Sequence, residues 1–313
     1  MGLDTKNTQE KTFKTYLYYL SGVHKFMNAT YPTDKELALS ILGSPKFSLL
    51  NKIPNINTAK TAKLLRNAWA TEIQLELLSL LPDSYSKYSN HWTPVYTYYS
   101  IYSGIRAYLE ATHRSSDGNH ATILDIMGEE MKIHHELFPQ PWKTMVIHDT
   151  NGKHSYINLP NNINISKISP LTRPVQQNFW DHYAMMLRTT RSRIIDKKFT
   201  DKKRNIKLSK KELSKQVKPT TLFHALYRMR TRSNYKDADA TWMTILPFSE
   251  ATSFNIALKE IAHNSLLIFE TLVARRIGKQ EFSEIASEFI SFDQKDITKN
   301  LIAKRLKTIN SLM

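Results

Sequence analysis

The chain of 313 residues contains no cysteine. Disulfide bonds, thiolate zinc sites and cysteine nucleophiles are therefore excluded. Only eight residues are glycine, and neither glycine-rich phosphate-binding motif, GxGxxG or GxxxxGK[ST], occurs. The sequence thus argues against nucleotide-binding folds built on such loops. Scarce glycine favours a helical protein with few tight turns.

Long apolar runs are also missing. No stretch of 18 apolar residues occurs, and residues 1–14 are polar, without the apolar core of a signal peptide. We therefore expect no membrane span and a soluble protein of the cytoplasm. Hydrophobic residues make up 41% of the chain and charged residues 23%, which excludes wholesale disorder.

Positive charge is abundant and concentrated in one segment. Residues 186–236 hold seventeen lysines and arginines against three acidic residues, nearly the whole net charge of +16. Such a segment attracts polyanions, and nucleic acid is the usual partner. The alternative is a solvated basic loop. The candidate nucleic-acid-binding residues are Lys197, Lys198, Lys202, Lys203, Arg204, Lys207, Lys210 and Lys211.

Hydrophobic periodicity predicts a mainly α fold. Strand-like alternation over 144–159, around Asn151-Gly152, predicts a single β-hairpin and no larger sheet. Residues 29–57 contain several prolines and asparagines, which is typical of a connection. The predicted helices cover about 9–28, 58–81, 94–109, a segment ending near 137, 176–194, a segment beginning at Pro219, 249–277, 281–291 and 295–311.

Three motifs follow one another in a familiar order. Residues 98–109 read YYSIYSGIRAYL, His120 stands just before the next helix, and residues 226–235 read LYRMRTRSNY. A capped long helix then begins at Ser249. This order resembles the HEPN superfamily, which implies an antiparallel helical bundle over about 60–138 and 219–278. The resemblance divides the chain into five segments. Residues 58–138 and 219–280 form the two halves of the bundle, and residues 139–218 between them form an insertion with the hairpin and the basic segment. Residues 1–57 are an N-terminal helical extension, and residues 281–313 are C-terminal helices.

The resemblance implies a function as well. Many HEPN proteins cleave RNA or bind nucleotides in toxin–antitoxin or phage-defence systems, and they pair an Arg…His motif across a homodimer. Without metal, the RNA 2′-OH attacks the adjacent phosphate, an arginine stabilises the developing charge and a histidine transfers a proton. The family position falls on Arg230 or Arg232, but no histidine follows at the family spacing. His120 is then the candidate proton-transfer group.

Tyr235 is the fourth candidate catalytic residue. The motif that contains it, Arg232-Ser-Asn-Tyr235, resembles non-catalytic HEPN branches, which argues against ribonuclease activity. Two functions stay open: a metal-independent ribonuclease of a toxin or phage-defence system, and a non-catalytic binding or scaffold subunit. The expected partners are RNA or another nucleic acid and a second copy or a partner protein. For Arg232, a structural salt bridge is the alternative to phosphate binding.

Other pairs carry weaker signals. Arg106 with His113, and Arg114 with His120, have spacings that arise by chance in a chain with 11 histidines. Glu130 stands one helical turn before a histidine, but no HExxH motif occurs. The sequence therefore predicts neither a metal nor a cofactor.

Overall fold

A computed structural model describes residues 3–80, 88–148, 153–159, 179–202, 209–236, 248–292, 297 and 299–313. For residues 3–12, 79, 201–202, 235–236, 248 and 299 it describes the backbone alone.

Helices dominate the described parts of the chain, which confirms the predicted mainly α class. Short π-helical segments, Arg232–Lys236 and Lys299–Ala303, adjoin two of these helices, and a 3₁₀ turn spans His135–Leu137. The α-helices are α1 (Leu3–Thr30), α2 (Asp34–Leu42), α3 (Pro45–Ser48), α4 (Thr58–Ser79), α5 (Thr93–Ala111), α6 (His120–Ile133), α7 (Phe179–Lys202), α8 (Lys210–Gln216), α9 (Leu222–Thr231), α10 (Phe248–Ile277), α11 (Lys279–Phe292) and α12 (Lys304–Leu312).

One small antiparallel sheet accompanies the helices. Its strands are β1 (Met145–His148) and β2 (His154–Ile157), with Met145 opposite Ile157 and His148 opposite His154. The predicted hairpin is therefore confirmed, although Asn151-Gly152 at its turn lies outside the described residues. Within those residues the sheet has two strands, and one further bridge joins Val146 to Thr220.

Helix α5 lies at the centre of the bundle, where it packs against α4 and α10. Gly104 permits this approach, because a Cβ atom there would lie 2.9 Å from Leu266 Cδ2 and 3.3 Å from Phe269 Cδ2. The apolar stripe predicted for α5 is buried, including Ile101 and Ile105. Helix α10 ends at Gly278, whose φ of 102° is open to glycine and costly for other residues.

All five predicted segments contribute to one hydrophobic cluster. Its members include Phe13, Trp69, Trp142, Leu226 and Phe282. The described residues between the two predicted bundle halves thus contribute to the common core. The Trp142 indole N–H, which belongs to these residues, donates a hydrogen bond of 2.9 Å to the Ser265 hydroxyl of α10.

Two buried arginines join separate parts of the fold. Arg305 of α12 is fully buried and forms ion pairs with Glu72 of α4 and Glu270 of α10. Arg191 of α7 instead donates to backbone carbonyls, including those of Val146 at 3.2 Å and Val217 at 2.9 Å. Because buried charges require partners, both side chains fix their helices in place.

Some predicted boundaries were wrong. Residues 29–57 contain α2 and α3, and α2 begins with a capping box between Thr33 and Glu36. Helix α7 continues to Lys202, eight residues beyond its predicted end. Helix α9 begins at Leu222 and not at Pro219, because the backbone of Thr220 pairs with Val146. No helix in the described parts of the chain has an apolar stretch long enough to cross a bilayer.

Candidate functional site

His120 stands at the first position of α6, where the side chain of Asn119 caps the helix by accepting a hydrogen bond of 3.0 Å from the Thr122 amide. Its half-buried ring lies among four tyrosines, which we call the tyrosine cluster. The distances from the His120 ring centroid to theirs are 5.5 Å for Tyr98, 5.6 Å for Tyr99, 4.4 Å for Tyr102 and 5.4 Å for Tyr227.

The tyrosine cluster has a buried side and an accessible side. Tyr98 and Tyr102 are buried, whereas Tyr99 and Tyr227 are half-buried. Helical spacing places the three residues of α5 towards the loop that precedes α6, and Tyr227 reaches the same point from α9. The accessible aromatic faces could stack against a base.

Arg230 of α9 joins this cluster. Its guanidinium donates a hydrogen bond to the Tyr99 hydroxyl and lies 5.0 Å from the centroid of the same ring. Only 9% of Arg230 is exposed. Because Tyr99 contacts both Arg230 and His120, the structure brings together two of the candidate catalytic residues from distant parts of the sequence.

The charge state of His120 follows from its surroundings. Burial lowers the pKa of its imidazole, and Arg230 and Arg106 lower it further, so that the ring is neutral at pH 7. Burial also raises the pKa of the Tyr98 phenol far above its usual value, which keeps its hydroxyl protonated.

The Tyr98 hydroxyl fixes the tautomer of His120. The Tyr98 oxygen lies 2.9 Å from Nδ1 of His120, and the described residues offer it no other hydrogen bond. A buried O–H group requires an acceptor, so the hydroxyl donates to Nδ1. The second ring nitrogen, Nε2, therefore carries the proton, and His120 has an N–H donor there.

A second arginine holds the loop before His120. Arg106 donates from Nε to the Ser116 carbonyl at 2.7 Å and from a terminal nitrogen to Asp117 at 3.2 Å. The ammonium of Lys60 lies 2.7 Å from Asp117 and 2.9 Å from Glu110. These contacts position His120 and leave the Arg106 guanidinium 5.8 Å from the centroid of the Tyr102 ring.

The sequence offers Arg230 and Arg232 as alternative candidates, and the structure places Arg232 on another face of the helix from Arg230. Residues two positions apart on a helix point about 200° away from each other. Arg232 accordingly lies over Tyr16 of α1, with 5.9 Å between its guanidinium carbon and the ring centroid. The backbone of Tyr235 belongs to the π-helical segment, and its side chain lies outside the described residues.

The residues of the other Arg…His pairs contact groups outside those pairs. His113 Nε2 lies 3.1 Å from the Pro54 carbonyl oxygen, and Arg114 forms an ion pair of 3.1 Å with Glu130. Glu130 is buried and lies 3.5 Å from His134. Among the described residues no group of three or more potential metal ligands occurs.

Four of the eight residues of the predicted basic surface have described side chains. Lys197 and Lys211 are exposed, Lys198 lies 3.5 Å from Asp125, and Lys210 forms an ion pair with Asp196. The side chain of Lys202 and all of Lys203, Arg204 and Lys207 lie outside the described residues.

Sequence reasoning did not assign Tyr227 or Arg106 to the site. Tyr227 could have been found from its spacing, because it stands three residues before Arg230 on one helix and so lies on the same face. Arg106 carried no such signal, because its place depends on how the loop before α6 folds back.

A comparison of the chain with protein-family models, curated proteins and solved structures finds no match. The resemblance to the HEPN superfamily therefore rests on the motifs and their order, and the function is argued from the site itself.

Proposed function

We propose that this chain is an HEPN-like protein that binds single-stranded RNA at the tyrosine cluster, with His120 and Arg230 on one phosphate. The observation that carries the proposal is the convergence of His120 and Arg230 on Tyr99. Arginine supplies charge-assisted hydrogen bonds to phosphate oxygens, and the Nε2–H group of His120 adds a neutral donor.

The aromatic rings supply the second half of the proposal. Tyr99 and Tyr227 are half-buried beside these donors, and a base stacked on an aromatic side chain gains about 1–3 kcal/mol without sequence preference. Stacking next to phosphate donors is how proteins hold single strands, whereas the bases of a duplex are already stacked on one another.

The protonation state of His120 supports RNA binding better than RNA cleavage. A neutral imidazole that carries its proton on Nε2 donates a hydrogen bond but cannot accept the proton of a 2′-OH there. Cleavage requires the other tautomer, which forms only if the Tyr98 hydroxyl stops donating to Nδ1. Metal-independent ribonuclease activity is the second candidate function, because a neutral His120 beside Arg230 can act as a base once its tautomer changes.

The test is RNA binding by fluorescence anisotropy at fixed salt, using a labelled single-stranded oligonucleotide. We expect His120→Gln and Arg230→Lys each to weaken binding about tenfold, as expected for loss of one charge-assisted or well-oriented hydrogen bond. His113→Gln is the matched control, since His113 is an exposed histidine of the same loop. Circular dichroism checks that each variant stays helical.

Two results would contradict the proposal: no binding of RNA by the wild-type protein, or equal affinity of the wild-type protein and His120→Gln. The same samples, incubated with RNA in EDTA, test the second candidate. Cleavage that leaves 2′,3′-cyclic ends and stops in His120→Gln supports a ribonuclease, and intact RNA supports the binding subunit.

The resemblance also implies association, either of two copies or with a partner protein of a defence system. Light scattering at micromolar concentration is expected to give the mass of a dimer. A monomer that also recovers no partner from its host would contradict this part of the proposal.

A further inference from the structure

A pair of histidines joins the β-hairpin to α7. His148 of β1 and His154 of β2 stand directly opposite each other, and their ring centroids are 4.4 Å apart. Arg191 of α7 donates from Nε to Nδ1 of His148 at 2.7 Å, and Nε2 of His154 lies 3.4 Å from the hydroxyl of Ser192 on the same helix. We call the contact of His148, His154 and Arg191 the hairpin latch.

Arg191 makes the hairpin latch part of a larger junction. Its side chain is 1% exposed, and burial lowers its pKa to about 10, so the guanidinium stays charged at neutral and mildly acidic pH. Its terminal nitrogens donate to uncharged oxygens, those of the carbonyls of Val146, Ser214, Val217 and Lys218 and of the Thr220 hydroxyl. A second positive charge beside this buried guanidinium is therefore repelled.

The latch in this form requires a neutral His148. Nδ1 accepts the hydrogen bond from Arg191, so this nitrogen has its lone pair and the proton of the ring is on Nε2. A doubly protonated imidazole has no acceptor for Arg191, and it carries a positive charge of its own. One proton bound at His148 therefore removes a hydrogen bond and adds a repulsion.

Arg188 brings a further positive charge to the same face of α7. It stands one helical turn after Ala184, whose carbonyl accepts from the Tyr156 hydroxyl at 3.3 Å, and one turn before Ser192, which contacts His154. The Arg188 side chain is exposed, and no ion pair in the described part of the chain uses it. His154 therefore faces two arginines of α7.

His154 consequently has a pKa far below that of a free histidine. Burial has the largest effect, and His148, Arg188 and Arg191 lower the value further, to about 4 from 6.5. Between these two pH values, an opened hairpin binds a proton at His154 that the closed hairpin excludes. The contribution of His154 to closure is therefore complete above pH 6.5 and is lost as the pH falls towards 4.

The described carboxylates of the neighbouring helices are engaged with other groups. Asp125 of α6 contacts Lys198 and His224, Asp196 of α7 contacts Lys210, and Glu212 of α8 contacts Ser209. The nearby cations add to the repulsion: Lys153 of the hairpin and Lys215 of α8 are exposed, and Lys218 pairs with Glu129. Asp149, next to His148 in the sequence, lies outside the described residues.

We propose that the hairpin latch is an acid-sensitive device, which holds the hairpin on α7 at neutral pH and opens as protons bind to His148 and His154. Opening would also release the carbonyls of Val217 and Lys218, which Arg191 holds in front of α9. The ligand of this device is the proton, so the proposal does not depend on RNA binding.

The first experiment measures amide hydrogen exchange of the full chain by mass spectrometry between pH 7 and pH 5, corrected for the intrinsic effect of pH on exchange. Exchange in the strands, 145–148 and 154–157, should rise several-fold, with a limit of about tenfold per pH unit for each proton bound. The buried turns 265–272 of α10 should stay protected. Unchanged exchange in the strands, or an equal rise in α10, would overturn the proposal, the second because it indicates global unfolding.

The variant His148→Asn/His154→Gln tests the two rings together. The asparagine oxygen can replace Nδ1 as the acceptor for Arg191, and neither new side chain titrates, so the rise in exchange at pH 5 should disappear. His113→Gln removes an exposed histidine elsewhere and should behave like the wild-type protein. An acid response that survives in the double variant, or disappears in His113→Gln, would contradict the role of the latch.

Two further variants keep the proposal testable even if the double variant fails to fold. In an NMR titration of the histidine rings, His154 should titrate below pH 6.5 in the wild-type protein and at a higher pH in Arg188→Gln, because one repelling charge is gone. Asp149→Asn should retain the acid response in hydrogen exchange. An unchanged titration of His154 in Arg188→Gln, or loss of the acid response in Asp149→Asn, would overturn the assignment to the two histidines.

Discussion

The Tyr98 hydroxyl and Nδ1 of His120 form a hydrogen bond of 2.9 Å. Burial, Arg230 and Arg106 lower the pKa of His120 in the folded protein below its usual 6.5. The folded chain therefore binds fewer protons at this ring than the unfolded chain. Its contribution to stability is unfavourable at low pH and vanishes as the pH rises above 6.5.

The first prediction concerns the pH dependence of RNA binding. A bound phosphate would favour the protonated ring and raise its pKa, so lowering the pH from 8 to 6 should strengthen binding. Anisotropy titrations at several pH values measure this effect. His120→Gln should remove most of the pH dependence, whereas His113→Gln should retain it. A pH profile that is the same in all three proteins would contradict the assignment of His120.

The second prediction concerns the buried ion pairs of α12. Arg305 is completely buried and contacts Glu72 twice at 2.7 Å, while Glu270 accepts from it at 2.9 and 2.8 Å. Arg305→Ala leaves two buried carboxylates without their cation, so it should cost about 3–5 kcal/mol of unfolding free energy. Urea unfolding measures the loss. Lys307→Ala, an exposed cation of the same helix, should change stability by less than about 0.5 kcal/mol.

The third prediction follows from Glu72 in the same network. Burial opposes ionisation of this carboxyl, but Arg305 and His263 outweigh it and lower its pKa to about 2. Because the unfolded value is near 4.5, the group stabilises the fold fully above pH 4.5 and progressively less as the pH falls towards 2. Urea unfolding between pH 7 and pH 3 should show this loss in the wild-type protein.

Glu72→Gln supplies the control for that prediction. The variant cannot change its charge at this position, so its stability should depend less steeply on pH between 4.5 and 2. The two proteins should differ most at pH 7. Parallel pH profiles would show that other carboxyls cause the acid unfolding.

Much of the fold could be predicted from local patterns, because helix stripes, caps and the hairpin depend on nearby residues. The stripe of α5, the hairpin strands and the end of α10 at Gly278 are confirmed. Helix α2 was missed although Thr33 and Glu36 form its capping box, since nearby prolines and asparagines favoured a connection.

The site was harder to predict, because it depends on contacts between distant segments. The sequence offered Arg230 and Arg232 as equal candidates, and only the rotation of α9 against α5 places Arg230 beside Tyr99. Likewise, periodicity does not reveal that Arg305 pairs with Glu72, because nothing local to α12 requires a carboxylate from α4.

The fourth prediction concerns the predicted basic surface over residues 197–211, from the last turns of α7 to the start of α8. If the eight candidate residues contact phosphates, each neutralised phosphate adds about 0.7 to the slope of log affinity against log salt for a single strand. Changing all eight to glutamine should therefore flatten this slope and weaken binding to every sequence alike, because phosphate contacts carry no base information. The residues are Lys197, Lys198, Lys202, Lys203, Arg204, Lys207, Lys210 and Lys211.

A comparison at equal charge separates phosphate contacts from net charge. One variant changes four lysines of the basic surface to glutamine, and the other changes four exposed lysines elsewhere in the chain. Both lose the same charge, but only the first should lower the salt slope substantially, since a slope reports ions released at the contacts. Equal slopes in the two variants would show that residues 197–211 form a solvated basic surface that does not contact phosphates. The two sets are Lys197, Lys198, Lys210 and Lys211, and Lys35, Lys63, Lys132 and Lys307.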